Sequence, residues 1–477
     1  MDATKETPPE VAAAIQSLHV VSNEAHEDPS WLLTDKQTGN KKVNAPMLGY
    51  EIMKEVPMIR ADCLPLGARY DREIGTWHIG DLSDFLEGYI TKKLEAVGKW
   101  SVQKMGEVKK FIMIKTFNPH MASNPFDRSN PMLINFKNGT FNLVKRTLQP
   151  HNQSDLILQS HDYVLPTSQE TPTEPKETGD WLTTLTGNDP FATTFLFELM
   201  GYCFYRSYEP FQLIAILQGS GGNGKSTFLN YLKRVLGVEN VSNVTLQDLG
   251  SKNNRFASSQ LYRKEANIFA DVDSSFLNST GLLKSLTGGD RMFAEFKGQD
   301  PFMFENFAKL IFSANELPPF ADFSDGFERR LYVVPFPVKI DQQFEAKYSL
   351  ADIDAEIPQT IAYALYLFSQ AMKRHSLTES DPMKKAKGEW LKDSNSVARF
   401  VADYCHIDKK TNSGEPAQWI FQKYNQYCVD EGIKSLGQPN FTKRLAAMGI
   451  SKSNPRINGS RQQRYIHLIY NGDQHEE

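Results

Sequence analysis

Residues 219–227 combine glycines, a lysine and hydroxyl side chains in the pattern G-x(4)-G-K-[ST]. Glycines allow consecutive backbone N–H groups to turn toward one phosphate, because no Cβ stands in the way. A lysine at this position reaches the β- and γ-phosphates of a nucleotide, and the hydroxyl after it binds Mg²⁺. We therefore predict a site for ATP and Mg²⁺, with Ser226 as a metal ligand. Its residues are Gly219, Ser220, Gly221, Gly222, Asn223, Gly224, Lys225, Ser226 and Thr227.

Two aspartates follow a short apolar run at residues 266–270. On a β-strand, Asp271 and Asp273 would point to the same face, because alternate side chains share a face. One carboxylate would hold the metal's hydration shell, while the other would orient or deprotonate the attacking water. We predict that both residues are catalytic and that Asp271 is a second metal ligand. The alternative is that these acids only end a strand.

An amide and two arginines follow farther along the chain. Asn315 comes just after the strand-like run 309–313, where its amide would hold the hydrolytic water against the γ-phosphate. Arg329 and Arg330 precede another strand-like run at residues 331–336. Either guanidinium could stabilise charge on the transferring phosphoryl group, from a neighbouring subunit. The alternatives are a turn residue and a surface arginine in a salt bridge.

A hairpin is predicted between the acidic run and the asparagine run. Two β-patterned segments, the first beginning at Arg291, flank the turn at residues 297–300. A cation and aromatic side chains near such a tip suit a single strand, through phosphate contact and base stacking. We predict that Arg291 and Lys297 bind single-stranded DNA, with Lys297 at the tip. The alternative is a purely structural hairpin.

These residues meet only if the central part of the chain folds as an α/β structure. Residues 211–217 form a short unbroken apolar run, typical of a strand buried in a parallel sheet. The pattern after Lys225 predicts a helix that ends at Gly237, and residues 191–205 are a helix-length apolar segment. Strand, glycine-rich loop and helix follow one another in the order that a phosphate-binding loop requires.

The region before this core has an α+β pattern. Residues 76–81 predict a strand, and residues 82–97 predict an amphipathic helix directly after it. Alternating apolar residues on both sides of Asn138 and Gly139 predict a β-hairpin.

The C-terminal block contains a local basic patch. Between residues 432 and 472 there are seven Lys and Arg and no acid. Helices are predicted near residues 397–405, 416–431 and 439–448, followed by a hairpin around Asn458 and Gly459. This is the winged-helix arrangement, with 439–448 as recognition helix and 454–464 as wing. The predicted contacts to duplex origin DNA are Lys443, Arg444, Lys452, Arg456, Arg461 and Arg464.

The alternative for the basic patch is a solvated surface without a partner. The chain as a whole carries a net charge of −4, so no global field indicates nucleic acid. Local potential is nevertheless what a partner experiences.

The length of 477 residues suggests about three domains at roughly 150 residues each. A polar segment at residues 168–180 and a charged segment at residues 379–393 predict the boundaries. The predicted domains are an N-terminal α+β region (1–180), a P-loop core (181–378) and a winged-helix domain (390–477). A hydrophobic content of 40% excludes a disordered tail, and the composition excludes collagen-like and coiled-coil chains.

Cysteine spacing and hydropathy exclude further classes. The four cysteines lie far apart without a CxxC pair, which argues against a zinc site and for buried thiols. The polar N-terminus is unlike a signal peptide, and no apolar run approaches the roughly 20 residues of a membrane helix. We expect a soluble cytoplasmic protein without a membrane partner.

The ordered motifs resemble superfamily 3 helicases, and more narrowly the helicase half of the phage, plasmid and poxvirus primase–helicase family. The segments are GSGGNGKST, ANIFADVD, LLKSLTGGDRMFAEFKGQDPF, KLIFSANELPPF and GFERRLYVVPF. INFKNGTFNLVKRTLQPH resembles the segment before the helicase core in that family. The resemblance covers roughly residues 60–380.

The resemblance implies an AAA+ type P-loop ATPase, usually a homo-hexameric ring, that hydrolyses ATP between subunits and moves 3′ to 5′ on DNA in its central channel. It makes Lys225 and Ser226 the nucleotide and Mg²⁺ residues and Asp271 the Walker-B acid. Asn315 becomes the sensor and Lys297 the channel-hairpin lysine. It favours Arg330 as the arginine finger, with Arg329 as the alternative. The family's paired acids are commonly adjacent, whereas Val272 separates them here, so the catalytic base stays open.

Three functions remain in competition. The first is a replicative DNA helicase and initiator of a phage, plasmid or other mobile element. The second is an origin-binding initiator in which ATP only switches assembly, and the third is a small-molecule kinase. The asparagine run, the arginine segment and the basic C-terminal block argue against a kinase, which requires none of them. The first 80 residues contain no apolar run ending in closely spaced acids, so we expect no primase activity in this chain.

Overall fold

The computed structural model describes most of the chain, namely residues 28–166, 171–251, 256–277, 279–298, 300–320, 322–408, 414–433, 435–457 and 460–471. The described residues form two compact units. The first runs to Asp71 and continues from Trp77 to Asn124, and the second comprises Arg72–Thr76 and the residues from Pro125 onward. No helix among the described residues is long and apolar enough to cross a lipid bilayer.

The first unit is an α+β structure. Its elements are β1 (Leu32–Thr34), β2 (Lys41–Val43), α1 (Ala45–Glu55), β3 (Met58–Ala61), β4 (Leu64–Asp71), β5 (Thr76–Ile79), α2 (Leu82–Ala96) and α3 (Val102–Lys115). Leu82, Leu86, Ile90 and Leu94 recur every four residues along α2 and are buried together, because such positions share one helical face. The predicted strand and helix at residues 76–97 are confirmed.

A three-stranded antiparallel sheet opens the second unit, formed by β6 (Leu133–Phe136), β7 (Gly139–Asn142) and β8 (Thr147–Gln149). Phe136 pairs with Gly139, which confirms the hairpin at Asn138 and Gly139. Ile134 and Phe136 are buried in the same cluster as the helices of the P-loop core. Residues 125–166, which the sequence grouped with the N-terminal region, therefore pack with the core.

A buried ion pair joins this segment to the central sheet. His161 Nε2 lies 3.0 Å from Glu265 Oε2, and both side chains are fully buried. Burial lowers the pKa of His161, but the Glu265 carboxylate outweighs burial and the pKa is raised. His161 Nδ1 also lies 2.8 Å from the carbonyl oxygen of Asn135. The pair fixes the chain just before the strand that leads to Asp271.

Five parallel strands form the central sheet. They are β9 (Ile214–Gln218), β10 (Val241–Ser242), β11 (Ala266–Phe269), β14 (Lys309–Ala314) and β15 (Leu331–Pro335), in the spatial order β10-β11-β14-β9-β15. Ala215 and Leu217 of β9 enter one core cluster, whereas Ile214 and Ile216 enter the other. This alternation explains the unbroken apolar run, since a strand covered on both faces needs apolar residues at every position. The predicted strands are confirmed.

Helices cover the two faces of the sheet and connect its strands. They are α4 (Lys176–Leu185), α5 (Pro190–Cys203), α6 (Lys225–Leu236), α7 (Leu246–Leu249), α8 (Gly281–Leu286), α9 (Asp325–Glu328), α10 (Gln342–Lys347), α11 (Leu350–Ala355), α12 (Ile357–Arg374) and α13 (Asp381–Asp393). Short 3-10 helices occur at Pro125–Arg128, Gln153–Asp155, Val238–Asn240 and Ser258–Leu261. Helix α6 ends at Gly237, as predicted.

Both segments predicted as domain boundaries contain helix. Residues 168–170 of the first lie outside the described residues, but α4 begins at Lys176, and its N–H groups at Glu177 and Thr178 donate to the Glu356 carboxylate. The second segment is α13, which buries Trp390 in the core cluster beneath the sheet. Trp390 Nε1 donates to the carbonyl oxygen of Pro318 at 3.0 Å. The described helices of both segments therefore pack with the core.

The C-terminal part has its own apolar core. Its elements are α14 (Ser396–Tyr404), β16 (Cys405–Ile407), β17 (Gly414–Pro416), α15 (Ala417–Asp430), α16 (Gln438–Ala447), β18 (Lys452–Ser453), β19 (Arg456–Ile457), β20 (Ser460–Arg461), β21 (Arg464–Ile466) and β22 (Leu468–Tyr470). The three predicted helices are confirmed. Strands β19 and β20 pair, whereas the predicted turn residues Asn458 and Gly459 lie outside the described residues.

The packing of α5 against α12 predicts a strong effect of a single methyl group. A Cβ at Gly201 would lie 2.3 Å from the carbonyl oxygen of Ala364 and 2.8 Å from Phe368 Cβ. We expect Gly201→Ala to lower the free energy of unfolding by about 2 kcal/mol, because overpacking displaces the backbone. The measurement is urea denaturation followed by circular dichroism.

Gly388 in α13 is the matched control. A Cβ there would meet nothing within 4 Å, so Gly388→Ala should raise the free energy of unfolding by about 0.5 kcal/mol. Equal stability of the two variants would contradict the close approach of α5 and α12.

Candidate functional site

The glycine-rich loop lies between the end of β9 and the start of α6. Gly221, Gly222 and Gly224 have φ values of 96°, 66° and 80°, a region that disfavours side chains. Nothing lies within 4 Å of a Cβ built at Gly221 or Gly222, so the loop opens onto free space. No described side chain caps the helix at Gly224, which leaves the first N–H groups of α6 available to an anion.

Hydrogen bonds from the backbone and from one side chain hold this loop against the sheet and the chain after it. Gly219 N donates to the carbonyl oxygen of Ala314 at 3.3 Å, and Ile340 N donates to that of Gly222 at 2.8 Å. The Asn223 amide donates to the carbonyl oxygen of Val338 at 3.0 Å. The loop is therefore held in its open form by β14, beside β9, and by the chain after β15.

The side chain of Lys225 connects the loop with the predicted sensor. Its Nζ donates to the carbonyl oxygen of Gly219 at 2.7 Å and to Asn315 Oδ1 at 3.0 Å. Lys225 is only 7% exposed, and burial lowers its pKa while the nearby Asp271 carboxylate raises it. The two residues meet because β14, which ends beside Asn315, is the neighbour of β9.

The two aspartates differ from the expected geometry. Strand β11 ends at Phe269, and Asp271 has a left-handed φ of 59°, so the pair does not share a strand face. The N–H of Asp271 donates to Ser313 Oγ at 3.2 Å, which ties this residue to β14. Asp273 Oδ1 instead accepts from the Ser275 N–H at 2.6 Å. Hydrogen bonds from the Ser275 side chain and backbone lower the pKa of Asp273. Asp273 closes a local turn, whereas the charge of Asp271 raises the pKa of Lys225.

The two adjacent arginines have opposite environments. Arg330 is 6% exposed, its Nε donates to Thr287 Oγ1 at 2.9 Å, and its Nη1 donates to the carbonyl oxygen of Gly326. Arg329 is exposed and donates to Gln212 Oε1 at 2.8 Å. A group that must reach a neighbouring subunit has to be accessible. Of these two arginines, Arg329 is accessible and Arg330 is buried.

The predicted hairpin is formed by β12 (Arg291–Ala294) and β13 (Phe302–Glu305). Lys297 is exposed beside Gly298, and Arg291 is exposed at the start of β12. The aromatics near the tip contact each other, since Phe296 stacks on Phe302 with 5.2 Å between ring centroids. Phe293, which the sequence analysis did not single out, is 73% exposed. The alternation along β12 could have identified Phe293, because it lies between Met292 and Ala294, whose side chains face the core.

The six basic residues predicted for duplex DNA fall into different environments. Lys443, Lys452, Arg456 and Arg461 are exposed. Arg464 is partly buried, and its Nε donates to the carbonyl oxygen of Gly414 at 2.6 Å. The Arg444 guanidinium lies over the ring of Phe323, which is distant in sequence and belongs to the P-loop core. Lys434, which is part of the basic stretch, lies outside the described residues.

The geometry at the loop fits a nucleotide and Mg²⁺. The open left-handed glycines and the uncapped start of α6 provide N–H groups for phosphates, and Lys225 provides the cation. Among the described residues, no group of three or more His, Cys, Asp or Glu could hold a metal ion. Mg²⁺ usually binds through one or two protein groups together with substrate phosphates. Ser226, which is exposed at the start of α6, and Asp271 suit that arrangement.

Comparisons with known proteins cover the part of the chain that contains this site. A family model described as a family of unknown function, DUF5906, matches residues 217–330, which contain the loop, the hairpin, Asn315 and both arginines. The chain is 25% identical over 360 residues to “Putative helicase L207/L206” of Acanthamoeba polyphaga mimivirus, covering 71% of this chain and 37% of that protein. It is 26% identical over 309 residues to “Putative helicase 121R” of Invertebrate iridescent virus 3, covering 57% and 32%.

The predicted resemblance to helicase-like proteins is confirmed by these two viral relatives. The matched part of the chain corresponds to about a third of the length of these two relatives. Among solved structures, the A form of the apo NrS-1 C-terminal region is 16% identical, with a TM-score of 0.48 over 88% of this chain and 99% of that chain.

The contrast between the two arginines yields a stability prediction. We expect Arg330→Ala to lower the free energy of unfolding by about 2 kcal/mol, because it removes buried hydrogen bonds of a charged group. Arg329→Ala is the matched control and should change it by less than about 0.5 kcal/mol, since the side chain is exposed. Thermal melting of both variants measures the difference. Equal melting temperatures would contradict a structural role for Arg330.

Proposed function

We propose that this chain is an ATP-driven DNA helicase and initiator of a virus or other mobile genetic element, and that it acts as a homo-hexameric ring with 3′ to 5′ polarity. One observation carries the proposal most strongly. The phosphate-loop lysine and Asn315 are in contact at the carboxyl edge of the sheet, in a chain that also carries a basic C-terminal block. The helicase names of the viral relatives support the same function.

ATP would supply the transferable phosphoryl group, and Mg²⁺ would neutralise its oxygens. The N–H groups of the loop would bind the phosphates, and Lys225 would exchange its bonds to Gly219 and Asn315 for phosphate oxygens. The amide of Asn315, once released, would orient the attacking water. Asp271 would hold the hydrated metal together with Ser226 and is our choice for the acidic residue that activates water. Asp273 is less suited, because its carboxylate closes the turn at Ser275.

Arg329 is proposed as the arginine finger supplied to a neighbouring subunit. It follows the short helix α9 and is exposed, whereas Arg330 is held inside the core. A guanidinium from a second subunit stabilises charge that develops only in the transition state. Hydrolysis would then require assembly, which is how a ring couples ATP turnover to movement on DNA.

Two separate surfaces would contact DNA. Lys297 at the tip of the β12–β13 hairpin would contact a single strand in the central channel, together with Arg291. The C-terminal elements would act as a winged helix on duplex origin DNA. Arg456 and Arg461 are directly opposite each other across β19 and β20. Like charges in that position repel, and a phosphate between them would relieve the repulsion.

The decisive experiment measures ATP hydrolysis with and without single-stranded DNA, together with strand displacement on a forked substrate. We expect DNA-stimulated hydrolysis and release of a strand, and both should be lost in Lys225→Ala. A chain that hydrolyses ATP and binds duplex but releases no strand is an ATP-switched initiator instead. Hydrolysis that persists in Lys225→Ala, in a preparation free of other ATPases, would contradict the assigned site.

The proposed finger can be tested by mixing subunits. Arg329→Ala should bind nucleotide and assemble but hydrolyse at least about 100-fold more slowly, because a finger is worth about 10³–10⁵ in rate. Adding Lys225→Ala subunits should restore part of the activity, since some interfaces then combine an intact loop with an intact finger. Failure to recover activity in rings that contain both variants would indicate that Arg329 does not act between subunits.

The two DNA surfaces predict different salt dependences. Lys297→Ala should impair unwinding and leave duplex affinity nearly unchanged. The double variant Arg456→Ser with Arg461→Ser should reduce the slope of log K for duplex against log salt concentration by about 1.8, because two phosphate contacts are lost. Binding to labelled duplex at several salt concentrations and unwinding of a preformed fork measure both effects. Parallel losses in both assays would contradict separate surfaces.

A further inference from the structure

Helix α16 presents its basic side chains to the P-loop core. Four of its residues lie at positions i, i+3, i+4 and i+7 and share one helical face. They are Asn440, Lys443, Arg444 and Ala447. This face borders a cavity of about 430 Å³ whose opposite wall is formed by α8 and the loop before α9. The proposed recognition helix is therefore directed toward the core.

Arg444 makes the central contact across this cavity. Its guanidinium carbon lies 3.6 Å from the centroid of the Phe323 ring, the distance of a stacked cation–π contact. Burial lowers the pKa of Arg444, while the carboxylates of Glu328 and Asp322 raise it. The charged group therefore rests on an aromatic ring and faces two acids of the core. The environment is that of a docked side chain.

The receiving loop on the core is itself anchored. Asp322 Oδ2 accepts from Lys284 Nζ at 2.8 Å and from the Thr280 hydroxyl, both at or near α8. These hydrogen bonds outweigh the effect of burial and hold the pKa of Asp322 well below its usual value. Because Asp322 stays charged and bound, Phe323 is presented on a fixed loop.

We infer that this face of α16 has two mutually exclusive partners, the P-loop core and the phosphate backbone of duplex DNA. The inference rests on the proposed function, in which the C-terminal elements bind duplex. In the docked position the Arg444 guanidinium rests on Phe323 and lies near the carboxylates of Asp322 and Glu328, which would repel a phosphate brought to the same place. Docking therefore withholds Arg444 from DNA, and duplex binding through this residue requires α16 to leave the core.

The same contact links duplex binding to the nucleotide site. Phe323 lies on the segment that runs from Asn315 to Arg329, so release of Arg444 removes one of the contacts made by this segment. A partner that draws α16 away from the core would therefore change the packing of the segment that positions Asn315 and Arg329. Arg444 is a positioning residue in the docked state and a phosphate contact in the released state.

A substitution in the core tests the inference. Phe323→Leu keeps an apolar side chain but removes the aromatic face. It should bind a labelled duplex about 5-fold more tightly than the unaltered chain, because the docked state no longer competes as well. Phe191→Leu is the matched control, since Phe191 is 61% exposed on α5, and its duplex affinity should not change. Fluorescence anisotropy measures affinity, and thermal melting checks that each variant is folded.

Variants of Arg444 make the test specific to the pair. Arg444→Lys keeps the charge but loses the planar stacking, so it should also bind duplex more tightly, even if Phe323→Leu fails to fold. In an Arg444→Ala background, Phe323→Leu should have no effect. Duplex affinity that is unchanged or weaker in both Phe323→Leu and Arg444→Lys would overturn the inference alone. An unaltered chain that binds no duplex would overturn the proposed DNA-binding role together with it.

Discussion

The burial of the Lys225 ammonium group is the constraint on which the site depends. A buried charge is costly unless oxygen atoms replace its water, and here two strand ends supply them, the carbonyl of Gly219 and the amide of Asn315. Both oxygens are available only because β9 and β14 are neighbours in a parallel sheet whose carboxyl ends meet at one edge. The left-handed glycines then leave the space in front of this lysine open. The arrangement suits the proposed phosphate site, because the Lys225 ammonium group already has oxygen partners that phosphate oxygens could replace.

The strand order also determines where the residues proposed for catalysis lie relative to Lys225. Asn315 follows the strand beside β9 and reaches Lys225 directly, whereas Asp271 follows the next strand and acts through its charge. Ser313 holds the backbone of Asp271 in its left-handed conformation, so this carboxylate is positioned by the sensor strand. One segment of chain, from β14 to β15, therefore positions the amide, the acid and the exposed arginine together.

That same segment connects the site with the rest of the second unit. Trp390 of α13 holds the carbonyl of Pro318, and Arg444 of α16 stacks on Phe323. Both contacts fall between Asn315 and Arg329. Through these contacts, a movement of the C-terminal elements would reach the segment that carries the proposed sensor and finger. The contacts give a physical basis for coupling DNA binding to the nucleotide state.

The amino-acid sequence alone determined the phosphate loop, four of the five strands of the central sheet and the predicted helices, because these depend on local order; the short edge strand β10 was not predicted. Glycine spacing, unbroken apolar runs and the recurrence of apolar residues on one helical face are all patterns among residues that are close in sequence. The same local reasoning placed Asp271 and Asp273 on one face, but the chain leaves the strand at Phe269, and no periodicity reports where a strand ends. Only the tertiary structure decided which arginine is accessible, since Arg329 and Arg330 are identical in type and Thr287, which holds Arg330, lies 43 residues away. It also decided that Arg444 rests on Phe323, because contacts between distant segments depend on how whole elements pack.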